Sequence, residues 1–262
     1  MSEFAGAATY YSQFRPGIPK EVSELLIGEA NRDVPATSLL DLGTGTGQVV
    51  EVLHQDFKDI IAVDPDPEML RLAERNLRQK VSDKTQFRFY SCRAEEFSPP
   101  AGWVASLVTI CRAFHWMDQV KVLERLAEFV PWSGVVAVFG DRSFWEANSP
   151  WKQSVRELIQ DFLGEQRRAG KGIFSHHDRP YSEILKESPF SKVNEYTVPI
   201  KRTWNAESIL GYLYSTSFAA RSLFGERVEE FEHALKERLA GLSRDDKFDE
   251  DNEFIIRIGR KG

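Results

Sequence analysis

The sequence predicts an α/β fold: a mostly parallel sheet with helices on both faces and a helical cap inserted after the fifth strand. Three observations predict it. Short apolar runs alternate with amphipathic stretches through the first half of the chain, the pattern of a parallel sheet wound by right-handed crossovers. The first apolar run ends in a glycine-rich loop, as expected where a ligand approaches strand ends. After Gly140 the rhythm changes to longer helical stretches rich in aromatic residues.

Taken in order, residues 20–30 space Val22, Leu25, Leu26 and Ala30 as one helical face. Pro35 breaks that helix, and residues 38–42 read as a short buried strand running into glycines. Residues 48–53 resume as helix, 59–64 form the next strand, and Pro67 suits the start of a helix carrying Met69, Leu72, Ala73 and Leu77. Strands follow near 87–90, 105–110 and 135–139, with a helix over 120–129. Beyond them the pattern predicts a helix over 151–165, a charged RRAGKG loop, a strand near 193–200, helices from Ala206 and over 227–239, and a closing strand at 254–258. The expected division is a core over 1–140, a cap with a returning strand over 141–225, and a C-terminal helix and closing strand over 226–262.

Composition narrows the function classes. The chain has 262 residues, a net charge of −6 and 12% aromatic residues. The acidic balance argues against a nucleic-acid partner, which asks for a basic footprint. No apolar run reaches the roughly 18 residues of a membrane span, and the first residues lack the basic and apolar regions of a secretory signal. Cys92 and Cys111 form no CxxC pair and read as reduced thiols. The expectation is therefore a cytoplasmic protein without membrane or nucleic-acid partners; the sequence says nothing of its oligomeric state.

Residues 39–47 read LLDLGTGTG. The dinucleotide fingerprint GxGxxG would require glycine at position 48, which is Gln48, and no Gly-Lys-Ser/Thr of a phosphate-binding loop occurs. At the end of the next strand stands Asp64, an acceptor-only carboxylate suited to a pair of ribose hydroxyls; as an alternative, Asp64 or Asp66 caps the following helix. This acidic-x-Gly-x-Gly-x-Gly loop, with Asp64 after it, resembles the first motif of the class I S-adenosylmethionine-dependent methyltransferases. YYSQFRPGIP at 10–19 and CRAFHWMD at 111–118 resemble a small-molecule subgroup of that family, the methyltransferase type 11-like enzymes.

The resemblance implies a Rossmann-like, seven-stranded mostly parallel sheet, S-adenosylmethionine as cofactor and S-adenosylhomocysteine as product. It also assigns residues. Asp41, Gly43, Thr44 and Gly45 form the cofactor loop, followed by Asp64, Pro65 and Met69. Ala94 and Glu95 match the adenine contact, with solvated loop acids as the alternative for Glu95. Cys111 and Ala113, at the methyl-transfer centre, complete the cofactor-binding set. Tyr11 and Arg15 close over the methionyl end, where a guanidinium is a good bidentate partner for a carboxylate.

The family places methyl transfer at the end of the fourth strand. No Asn/Asp-Pro-Pro-Tyr/Phe of the nucleic-acid amino methyltransferases stands there. His115 is the candidate general base; the alternative is a loop-orienting histidine. Phe114 and Trp116 are candidate pocket walls. Trp145, His176, Tyr181 and Tyr214 in the aromatic second half are candidate substrate contacts, with cap core as the competing role. The adjacent His176 and His177 lack a third spaced ligand, so no metal is expected. The reading is a methyltransferase acting on an oxygen, nitrogen or carbon of a small molecule. Its rivals are a protein that binds S-adenosylmethionine without transferring methyl, and a nucleotide-dependent oxidoreductase.

Overall fold

The computed structural model describes residues 8–32, 34–78, 80, 85–146, 149–166, 168–169, 172–173 and 179–262. Its elements, in chain order, are α1 (Ala8–Phe14), α2 (Lys20–Ala30), β1 (Ser38–Leu42), α3 (Gln48–Leu53), β2 (Asp59–Val63), α4 (Pro67–Arg78), β3 (Gln86–Tyr90), β4 (Leu107–Cys111), α5 (Gln119–Leu126), β5 (Val135–Asp141), α6 (Pro150–Leu163), β6 (Arg168–Ala169), β7 (Gly172–Ile173), α7 (Tyr181–Lys186), β8 (Lys192–Trp204), α8 (Ala206–Tyr214), α9 (Val228–Leu242) and β9 (Phe248–Arg260). Single 3-10 turns lie at Ala94–Glu96 and Phe114–Trp116.

Seven strands form one sheet in the order β3-β2-β1-β4-β5-β9-β8. β1 through β5 are parallel, and β9 runs antiparallel to β5. The apolar runs of β1 and β4 are buried because each has a parallel neighbour on both sides and helices on the faces. Between β1 and β4 the strand order reverses, so their carboxyl ends diverge into a crevice.

The chain divides into two compact units. One comprises Gly17–Asp141, His177–Val198 and Phe254–Gly262; the other comprises Met1–Pro16, Arg142–His176 and Pro199–Glu253. The first holds the parallel strands and a core of Leu40, Ile61, Val108, Val136 and their neighbours. The second is mainly helical, with a core of Trp151, Val155, Leu213, Phe231 and Leu235.

These units cut the chain differently from the expected 140/141 and 225/226 boundaries. The N-terminal segment belongs to the helical unit, because α1 packs on α8: Gly211 lets the Phe14 ring lie where a side chain would stand, and Tyr10 meets Tyr214 edge-on at 5.2 Å. α9 belongs there too, against α6 and α8. α7, within the stretch expected as cap, belongs to the sheet unit through Ile184 and Leu185. β9 is longer than the expected 254–258 because it pairs with β5 from Val136↔Gly259 to Asp141↔Phe254 and begins before that ladder. Inside the expected RRAGKG loop lies the two-residue pairing of β6 with β7.

Candidate active site

The glycine loop is shaped by its backbone. Gly43, Gly45 and Gly47 have φ of 71°, 54° and 87°, a region that side chains with a Cβ avoid. At Gly43 space also requires glycine, since a Cβ there would lie 2.4 Å from the Cβ of Ala113. The loop is tied to β2: the Gly43 and Thr44 amides donate to the Val63 carbonyl at 2.8 and 3.0 Å. Asn76 of α4 donates to the Thr46 carbonyl at 3.3 Å.

Two buried carboxyls flank this loop. Asp64 Oδ2 accepts from the Gly45 amide at 2.8 Å and Oδ1 from the Asp66 amide at 2.9 Å. Burial raises the Asp64 carboxyl above its ordinary range, against these two donors that lower it. Asp66 in turn accepts from the Glu68 amide at 2.9 Å, so the helix-start role falls to Asp66 while Asp64 reaches back to the loop. Asp41, 1% exposed, accepts from Thr109 Oγ1 at 2.7 Å. Burial pushes its carboxyl up to about 6, although the Thr44 and Thr109 hydroxyls favour the charged form. Thr109, a polar residue inside the apolar LVTIC strand, was not singled out from sequence; its place mid-strand was the available signal. Pro65 is exposed and Met69 is buried on α4.

Glu95, expected at the adenine contact with Ala94, is buried. Its Oε1 accepts from the Asp118 amide at 2.6 Å, and Arg93 lies 3.4 Å from Oε2. Burial raises the Glu95 carboxyl, but those donors outweigh it and the net shift is downward. Glu95 is therefore not a solvated loop acid; it fastens the start of α5.

After β4 the chain turns sharply at Arg112, whose φ is +56°, and Ala113 lands against Gly43. The following 3-10 turn carries Phe114, His115 and Trp116. Phe114 is buried, edge-on to Tyr181 at 5.1 Å, while His115 and Trp116 are half-buried with ring centroids 4.8 Å apart. Gln119 donates to the Phe114 carbonyl at 3.2 Å. Cys111 and Ala113, both half-buried, sit on the two sides of the turn at Arg112. His115 is thus held on a short, braced turn at the carboxyl edge of β4.

In the helical unit the Arg15 guanidinium lies over the rings of Tyr11 and Tyr212, 5.2 and 5.1 Å from their centroids. Trp145 is half-buried and packs on Phe218. Tyr214 is 2% exposed, and its hydroxyl donates to Glu232 at 3.0 Å. That is a core position, where the expected substrate contact gives way to packing. His176 lies outside the described residues. Among the described residues no three His, Cys, Asp or Glu side chains gather as a metal site, and no helix is long and apolar enough to cross a membrane.

This set suits an adenosyl group: acidic acceptors near the β1 and β2 ends, and a loop whose backbone a ligand can approach with no side chain at its glycines. Comparison with known proteins points the same way. Residues 39–134 match the model of a methyltransferase domain. The yeast protein named Probable S-adenosylmethionine-dependent methyltransferase CRG1, from Saccharomyces cerevisiae, is 31% identical over 53% of this chain and 44% of its own. The chain thus spans less than half of that relative's length. An uncharacterized methyltransferase of Mycobacterium tuberculosis is 26% identical over 84% of this chain and 78% of its own. Over that stretch the chain is similar to the class I S-adenosylmethionine-dependent methyltransferases. A solved protein from Anaeromyxobacter dehalogenans assigned as a type II methyltransferase superposes on this chain with a TM-score of 0.58, at 22% identity, over 94% of this chain and 98% of that one. The seven-stranded sheet of this chain matches the fold that its sequence predicts.

Proposed function

We propose that this protein is a methyltransferase that moves the methyl group of S-adenosylmethionine to an oxygen, nitrogen or carbon of a small molecule. The observation that carries the reading is the β4 turn. It carries His115 and Trp116 on the turn that brings Ala113 and Met117 against Gly43, and it contains no Asn-Pro-Pro-Tyr with which to hold a nucleic-acid base.

When bound, the cofactor supplies a sulfonium methyl that is already electrophilic, so the chain's work is to orient and to exclude water. Asp64 is assigned to the ribose hydroxyls, with the Gly43–Gly45 backbone beneath the ligand and Ala94 and Glu95 near the adenine. Within the helical unit, the Arg15 guanidinium beside Tyr11 is a partner suited to a carboxylate. Phe114 being buried, Trp116 and Tyr181 are the aromatic side chains of the sheet unit available to an acceptor. His115 takes the acceptor's proton where that acceptor is protonated at neutral pH. Cytoplasmic action on a dissolved metabolite completes the proposal.

The test is to incubate the protein with methyl-tritiated S-adenosylmethionine and a cell extract split into small-molecule, nucleic-acid and protein fractions. Label is expected in the small-molecule fraction, and label confined to the macromolecules would overturn the reading. With the labelled acceptor in hand, His115→Ala is expected to lower turnover about 100-fold or more while S-adenosylhomocysteine affinity stays within twofold. Unchanged turnover would assign His115 to loop orientation.

A further inference from the structure

Arg112 belongs to none of the roles assigned above, yet it has the most constrained backbone at the site's edge. It is one of two non-glycine residues with positive φ among the described residues, and L side chains avoid that region. Such a conformation persists where its surroundings over-determine it, and those surroundings are specific. The Arg112 Nε lies 2.6 Å from Asp141 Oδ1, with both side chains largely buried, 9% and 15% exposed. The guanidinium lies over the Phe254 ring at 5.2 Å, and Phe254 is the β9 partner of Asp141 in the ladder. Its stem runs over Gly140, where an added Cβ would come within 3.2 Å of Arg112 Cγ. The Arg112 amide donates to the Phe139 carbonyl at 2.9 Å.

Immediately after this residue the chain delivers Ala113 against Gly43 and then the turn bearing His115. Bracing from the far side comes from Gln119 on the Phe114 carbonyl and Glu95 on the Asp118 amide. On the near side the tie to the sheet is Arg112.

We propose that Arg112 and Asp141 form a positioning clamp. The ion pair holds the left-handed turn that presses residues 113–117 against the glycine loop, so Arg112 acts on the cofactor and acceptor through that turn. The clamp rests on the site assignment above, but its main readout needs no ligand.

Hydrogen exchange of the cofactor-free protein is the deciding measurement, with S-adenosylhomocysteine titration beside it. Arg112→Gly keeps left-handed backbone accessible and deletes the clamp; Asp141→Asn keeps the arginine and deletes its counter-charge. Both are expected to speed exchange at residues 113–117 at least tenfold, with β1, β4 and β5 within twofold of wild type. Both are also expected to weaken S-adenosylhomocysteine about tenfold without a matching fall in melting temperature. Arg112→Lys, which keeps a charge for Asp141, is expected to stay within threefold of wild type in both. Unchanged exchange at 113–117 in the glycine variant, or acceleration spread evenly over β4, β5 and β9, would overturn the clamp. Should wild type fail to bind S-adenosylhomocysteine, the site assignment falls and the exchange result alone judges the clamp.

Discussion

The two units handle polar groups in opposite ways. At the carboxyl edge of the sheet, short acids and backbone amides satisfy one another within at most 19 residues of sequence: Gly45 with Asp64, Asp66 with Asp64, Glu68 with Asp66. In the helical unit the main buried charges are long side chains from remote parts of the chain. Lys152 of α6 is 1% exposed and forms an ion pair with Glu250, 98 residues away. Glu250 also accepts from the Trp204 indole at 2.6 Å and the Asn252 amide at 2.7 Å, and Lys152 lies 5.5–5.7 Å from the rings of Trp151 and Phe144. A site made of backbone and short acids can face a ligand with little side-chain reorganisation. A core stapled by a remote ion pair is specified by packing, and it loses much when either partner goes.

The largest expected effect breaks that second arrangement. Lys152→Met leaves the buried Glu250 to the more distant Arg202 guanidinium, 3.8 Å away, and is expected to destabilise the protein by up to ~3–5 kcal/mol, whereas adding Glu250→Gln should recover much of the loss. Urea denaturation of the two variants checks it, and equal losses would show that the pair is not coupled. Next comes Gly43→Val at the sheet edge. The clash with Ala113 and the left-handed backbone together predict a loss of about 2–5 kcal/mol, read as a fall in melting temperature with S-adenosylhomocysteine binding abolished.

How much of this was legible in the sequence follows the same division. The glycine loop, Asp64 and the strand–helix alternation are local patterns, and most expected elements fall within a few residues of the observed ones. α1 was missed because it is stabilised by α8 rather than by a strong face of its own, through Phe14 on Gly211. The full lengths of β8 and β9 depend on partners far along the chain. The Lys152–Glu250 and Arg112–Asp141 pairs join residues that no spacing rule connects, and a positive φ at an arginine leaves no mark in composition. Tyr214, grouped with candidate substrate contacts because it is aromatic, is claimed by the helical core.

A pH-dependent prediction sharpens the contrast at Asp41. Its carboxyl is raised by burial from 3.8 to about 6, so between those pH values the folded protein holds a proton that the unfolded chain has released. The contribution therefore favours folding below about pH 4, declines as pH rises to about 6, and stays lost above; the full span is up to about 3 kcal/mol. Asp41→Asn removes this dependence. Urea midpoints across pH 4–8 should converge at low pH and separate above pH 6, with the asparagine variant the more stable. A constant offset would assign the effect to packing.

The smallest of these effects is the most informative about the cofactor. Asp64→Ala removes acceptors for the Gly45 and Asp66 amides and, on the proposed assignment, for two ribose hydroxyls. Lost charge-assisted hydrogen bonds to the ligand amount to ~1.5–3 kcal/mol, about 10- to 150-fold in S-adenosylhomocysteine affinity by calorimetry. A loop-fastening role alone predicts something else: a lower melting temperature without ligand and an affinity that recovers at low temperature, where the loop is folded. Asp64→Asn separates the two further, because its amide NH2 must face one of the backbone donors. If the ribose role holds, adenosine competes for the wild-type site, and its affinity falls by the same factor as that of S-adenosylhomocysteine in the alanine variant. A loss confined to S-adenosylhomocysteine would move the contact away from the ribose.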